Sequence, residues 1–114
     1  MSAITTHVLD TSRGRPAIGF QVGLQIKSGE NWNWKTLGAG VTDANGRCTG
    51  LLGENQLQAG TYRLLFNAGA YYRELHVETF YSEIPIVFEV SNPEAHYHVP
   101  LLISPFGYST YRGS

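Results

Sequence analysis

Between Gly19 and Lys27 the chain alternates without interruption. Phe20, Val22, Leu24 and Ile26 are apolar, and Gln21, Gly23, Gln25 and Lys27 fall between them. A period of two puts one set on each face of an extended strand, with the apolar face buried. Further strand-like runs are predicted at Ile4–Asp10, Asn33–Thr42, Arg47–Leu51, Thr61–Asn67 and Ile84–Val90. Turn chemistry separates them: Gly14 with Pro16, Gly29-Glu30-Asn31, and Asp43-Ala44-Asn45-Gly46, whose Asn-Gly pair takes positive φ at little cost. Gly38 and Gly40 allow a bulge or bend in the third strand. Pro85 places its strand at a sheet edge, or sits at the strand's start. Short strands at this spacing predict an antiparallel sandwich or barrel.

The pattern breaks once, at Ala68–His76. Ala70-Tyr71-Tyr72-Arg73-Glu74-Leu75 is compatible with a helix, and Asn67 can cap it. The chain's end is strand-like. Tyr97, Val99 and Leu101 share the core face, while His96, His98, Pro100 and Leu102 share the other. Ser104-Pro105-Phe106-Gly107 is a turn, and Tyr108–Arg112 returns as a second strand. The sum is about eight strands and one short helix in one domain, residues 1–114.

Composition excludes several classes. Eight lysines and arginines against nine acidic residues give a net charge of −1, and no basic stripe suits nucleic acid. No apolar run approaches the ~20 residues of a membrane span. One cysteine, Cys48, precludes an internal disulfide. The first residues carry no signal-peptide pattern, so the expected location is cytoplasmic.

Three polar residues stand in constrained places. His7 lies mid-strand opposite the Ile4 and Val8 face, Arg47 directly follows a tight turn, and His98 lies mid-strand on the non-core face. Imidazole, with an ordinary pKa near ~6.5, is the usual general base at neutral pH. A guanidinium holds a planar carbonyl or ureide and stabilises an oxyanion. Tyr111 can orient a group or donate a proton. Together these suit hydrolysis of an acyl bond by activated water. No Gly-x-Ser-x-Gly elbow is present and Cys48 has no paired-histidine signature, which disfavours a nucleophilic serine or cysteine. The competing arrangement is a zinc site on His96 and His98 with His7 as third ligand.

Three stretches carry a family resemblance: Ile4-Thr5-Thr6-His7-Val8-Leu9-Asp10-Thr11 followed by Gly14-x-Pro16-Ala17; Thr42-Asp43-Ala44-Asn45-Gly46-Arg47; and the tail from His96 to Tyr111-Arg112-Gly113-Ser114. With these the chain resembles the transthyretin-related family and, within it, the 5-hydroxyisourate hydrolases. The resemblance implies a transthyretin (prealbumin)-like β-sandwich of eight strands with one short helix. It implies a homotetramer, a dimer of dimers, whose central channel is lined by the non-core faces of the first and last strands. The implied reaction is ring opening of 5-hydroxyisourate to 2-oxo-4-hydroxy-4-carboxy-5-ureidoimidazoline, on the way from urate to allantoin, with neither metal nor organic cofactor. The implied site is His7, Arg47 and His98, with Tyr111 and Ser114 from the tail. The alternative is a thyroid-hormone-like carrier, but such carriers have a lysine, a glutamate and a threonine where this chain has His7, Arg47 and His98. A third class, a plain interaction sandwich, predicts scattered polar residues with no shared geometry.

Overall fold

A computed structural model describes residues 3–29 and 33–114. The Glu30-Asn31 part of the expected turn lies outside the described residues. Two sheets face each other. One is built on β1 (Ile4–Asp10), flanked by β2 (Arg15–Pro16) and by β9 (Leu101–Ser104), with β10 (Gly107–Thr110) beyond β9. Two short segments, β5 (Arg47–Cys48) and β8 (Tyr97–His98), also pair with β1. The second sheet runs β4 (Asn33–Val41), β3 (Gln21–Ser28), β6 (Gly60–Phe66), β7 (Ile84–Val90). The described residues therefore hold ten strand segments, three of them only two residues long, arranged as the expected sandwich.

Alternation determines the core. Ile4 and Val8 of β1, Leu101 and Ile103 of β9, Val22 and Leu24 of β3, and Tyr62, Leu64 and Phe66 of β6 are all buried between the sheets. At about 25 cal/mol per Å² of apolar area, packing of this kind is the dominant favourable term. The bulge falls at Leu37: Leu24 pairs with Gly38 and Gln25 with Thr36, so one residue of β4 is extra. Gly38 cannot carry a side chain, because a Cβ there would collide with the Leu51 carbonyl. β7 is an edge strand, as Pro85 requires.

The helix α1 (Ala68–Glu74) begins at Asn67, whose side chain accepts from the Ala70 N–H at 3.1 Å. Its Ala68, Tyr71 and Tyr72 are buried. The Tyr71 hydroxyl donates at 2.9 Å to Asp10, a fully buried carboxylate at the end of β1. The Ser12 hydroxyl and N–H donate to the other Asp10 oxygen, at 2.6 and 3.1 Å. A buried carboxylate is tolerated only with such partners, and this cluster ties β1 to the helix.

Several strand boundaries and one strand orientation differ from expectation. The third strand ends at Val41, because the Thr42 hydroxyl leaves the ladder to accept from Phe20 N–H at 2.8 Å and donate to the Ala17 carbonyl at 2.6 Å. The fourth strand stops at Cys48 rather than Leu51, and Gly50 turns the chain with φ of +70°. The strand from His96 is interrupted at Val99–Pro100, where proline has no N–H to give. Finally, β8 and β9 run parallel to β1, so the sandwich is not wholly antiparallel.

Candidate active site

The site is built on β1. His7 pairs with Arg47 in the antiparallel ladder to β5, and Thr5 pairs with His98 in the parallel ladder to β8. Cross-strand partners project to the same face, and so do residues two apart. Thr5, His7, Arg47 and His98 therefore emerge together from three neighbouring strands, with His96 two residues from His98. Thr5, Thr6, Arg47, Thr49, His96, His98 and Ser114 line an open cleft of about 460 Å³.

Arg47 is aimed by its turn. Asp43 Oδ1 accepts from the N–H of Asn45 at 2.8 Å and of Arg47 at 3.0 Å, and Gly46 N–H donates to the Asp43 carbonyl at 2.9 Å. Those two N–H groups hold the Asp43 carboxyl below its usual range. Gly46 adopts φ of +77°, and a Cβ there would lie 2.5 Å from the Val8 carbonyl and 3.3 Å from the His7 ring. Only glycine lets the turn close against β1.

His98 is held from both sides. Its Nδ1 lies 2.8 Å from the Thr5 hydroxyl, which is also 3.2 Å from His96 Nε2. The two imidazoles are nearly parallel, 17° apart, with centroids separated by 6.3 Å. From the other side the tail closes on the ring. Gly113 N–H donates to the His98 carbonyl at 2.8 Å, and a Cβ at Gly113 would come within 2.5 Å of His98 Cδ2. Arg112 stacks on the Tyr97 ring at 4.6 Å, anchoring the tail beside the site. Desolvation first, then the charges of Arg47, His96 and His7, lower the His98 pKa from its ordinary 6.5, against a small raising effect from the Thr5 carbonyl. Burial and these neighbours thus favour the neutral imidazole, the form that can take a proton.

The structure brings Arg47, His98 and Ser114 to one cleft and His7 to the same strand face. Tyr111 does not line it. Its ring is 59 % exposed and borders a separate cleft of about 200 Å³, with Val87, Phe88, Tyr97 and Val99. Thr5 and Thr49 also line the cleft, neither of them expected there, and so does His96, which the sequence offered only as a zinc ligand. Thr5 was on the His7 face by alternation alone, but the parallel pairing that brings it to His98 left no local signal. Among the described residues, no three His, Cys, Asp or Glu side chains converge to hold a metal ion, so the His7–His96–His98 zinc arrangement does not form.

A two-sheet sandwich with one helix, carrying histidines and an arginine on one face of its first strand and the two short strands paired with it, defines a transthyretin-like protein with a polar face suited to hydrolysis. Residues 4–113 match the HIUase/Transthyretin family, and the chain belongs to it. It is 43% identical over 97% of its length to the 5-hydroxyisourate hydrolase of Salmonella dublin, covering 80% of that protein. The Klebsiella pneumoniae 5-hydroxyisourate hydrolase structure superposes with a TM-score of 0.85 at 38% identity, covering both chains completely. Sea bream transthyretin in complex with thyroxine superposes with a TM-score of 0.89 at 33% identity, covering 97% of this chain and 94% of that one.

Proposed function

We propose that the chain is a 5-hydroxyisourate hydrolase, opening the ring to 2-oxo-4-hydroxy-4-carboxy-5-ureidoimidazoline without metal or organic cofactor. The carrying observation is the convergence of His98 with Arg47 and His7 on one face, where burial lowers the His98 pKa. Water enters between the imidazoles. A histidine removes its proton as the oxygen attacks the ring carbonyl. Arg47 holds the carbonyl oxygen and stabilises the charge that grows on it, and the C–N bond breaks with the proton returned to nitrogen. The tail, with Ser114 at the cleft and Gly113 on His98, positions the substrate ring. Tyr111, outside the cleft of its own protomer, reaches substrate only across a subunit boundary.

That boundary belongs to a homotetramer, a dimer of dimers. Ile18, Phe80 and Phe106 are 59 %, 73 % and 65 % exposed, which supports cover by further copies. We place the enzyme in the cytoplasm as one domain over residues 1–114. No helix of the described residues is long and apolar enough to cross a membrane.

The alternative, carriage of a thyroxine-like ligand, has the sea bream structure in its favour. An apolar ligand is poorly served by a cleft edged with Arg47, His96 and His98. Arg47→Ala and His98→Ala test the assignment. Each is expected to lower kcat/KM about 100-fold or more, the scale of losing an oxyanion donor or a general base. Full activity in either variant overturns the role given to that residue.

A further inference from the structure

The hydroxyl of Thr5 lies within hydrogen-bond distance of two imidazoles, His98 Nδ1 at 2.8 Å and His96 Nε2 at 3.2 Å. A hydroxyl has one proton to give. It can donate to only one of the two rings, so the other nitrogen must carry a proton and donate to it. Two directions are possible, and they give His98 opposite tautomers. In one, the Nδ1–H of His98 donates to Thr5, Thr5 donates to His96, and the His98 Nε2 lone pair is free. In the other, Nδ1 is the acceptor and Nε2 bears the proton.

The Thr5 main chain also favours the protonated form of the His98 ring. That is the action of an acceptor, so of the two directions the one with the proton on the ring edge turned to Thr5 is favoured. His96 is exposed and can leave its Nε2 bare while its other nitrogen meets water.

We infer that Thr5 and His96 are positioning residues for His98: the relay His98 Nδ1–H to Thr5 Oγ1 to His96 Nε2 holds the imidazole in the tautomer whose Nε2 can accept a proton. The inference rests on the proposed hydrolase reading for its catalytic consequence but not for its geometry. Thr5 is 9 % exposed, and valine has nearly its shape. Charged and titratable groups acting on His98 are Arg47 from β5, His7 from β1 and His96 from the segment just before β8. None changes in Thr5→Val.

The test has two arms. Nitrogen-15 NMR of the histidine rings, above pH 7, reads the tautomer directly in the intact protein. The expected wild-type spectrum has a protonated Nδ1 and a bare Nε2 on His98. In Thr5→Val the population moves toward the Nε2–H form, and in Thr5→Ser it returns. A wild-type His98 already protonated on Nε2, or a Thr5→Val spectrum identical to wild type, overturns the inference whatever the activity. In the kinetic arm, Thr5→Val lowers kcat about 10- to 100-fold with KM little changed, the scale on which groups behind a catalytic residue act. Thr5→Ser restores it, and His96→Ala lowers kcat less than Thr5→Val. Unchanged kcat in Thr5→Val with a shifted tautomer overturns the catalytic consequence alone. Absence of hydrolase activity in wild type defeats the proposed function and leaves the tautomer result standing.

Discussion

Gly113→Ala offers a test of how tightly the tail is fitted to the site. Gly113 takes no left-handed φ, so an alanine meets no backbone penalty. The cost is steric and local. The new Cβ would lie 2.5 Å from His98 Cδ2 and 3.3 Å from both His98 Cγ and Pro100 Cγ. Ordinary carbon contact is about 3.5–4.0 Å, so ring and tail must part by roughly 1 Å. Pro100 is buried and held by the Thr110 hydroxyl bond to its carbonyl at 2.7 Å, so it yields little. Because the clash is with the ring itself, the Gly113 N–H loosens from the His98 carbonyl and the imidazole swings away from Thr5. The first costs about 1 kcal/mol for one hydrogen bond. The second misplaces the candidate base by about 1 Å, a displacement that can cost about 100-fold in rate. The expected result is therefore a split: kcat/KM falls about 100-fold, while stability falls by only about 1–2 kcal/mol, within the range for modest overpacking. Gly107→Ala is the control. Its Cβ would meet only Ser104 Oγ at 3.7 Å, so rate and melting temperature stay near wild type. Parallel assays of the three proteins, with thermal melts on the same preparations, decide it. Wild-type kcat/KM in Gly113→Ala would refute the fitted tail.

Other predictions follow from the same geometry. The lowered His98 pKa means that kcat/KM rises with pH through a midpoint below 6.5; Arg47→Gln, by removing a positive neighbour, moves that midpoint upward in a pH–rate profile. The same shift links to stability: the unfolded chain binds the proton first, so the His98 contribution is full above about pH 6.5 and declines as pH falls through it, visible in melts taken from pH 8 to 5. Asp43→Ala frees the Asn45 and Arg47 N–H groups and lowers kcat/KM by loosening Arg47. The Asp43 contribution, set by a depressed carboxyl, persists above pH 3.8 and is lost only as pH falls below it. Tyr71→Phe removes a donor from buried Asp10 and costs about 2 kcal/mol in urea unfolding, the scale of a hydrogen bond to a charged group; no loss of stability would mean that water replaces the hydroxyl.

Local chemistry made much of this fold legible. Alternation assigned the faces of β1 and β3, Asn-Gly located the turn before Arg47, Asn67 located the helix start, and Pro85 located an edge. The misses were long-range. Nothing in the tail announces that β8 and β9 run parallel to β1, since this parallel ladder is made by residues 93 positions apart and needs no local turn. That ladder brings Thr5 to His98, so the sequence held Thr5 only as one more strand residue. Asp10 was equally quiet: its burial depends on Tyr71, which arrives from the helix. Tyr111 was grouped with the histidines on the returning strand and the resemblance of the tail; in its own protomer, with Gly113 bridging to His98, the tyrosine borders a different cleft.

The most direct measurement of the central claim is a coupled assay. Urate oxidase generates 5-hydroxyisourate in place from urate, the purified protein is added after metals are chelated, and the decay of the intermediate's ultraviolet absorbance is followed. The account predicts decay well above the spontaneous rate, proportional to protein added and unaffected by chelation. Decay at the spontaneous rate would contradict it.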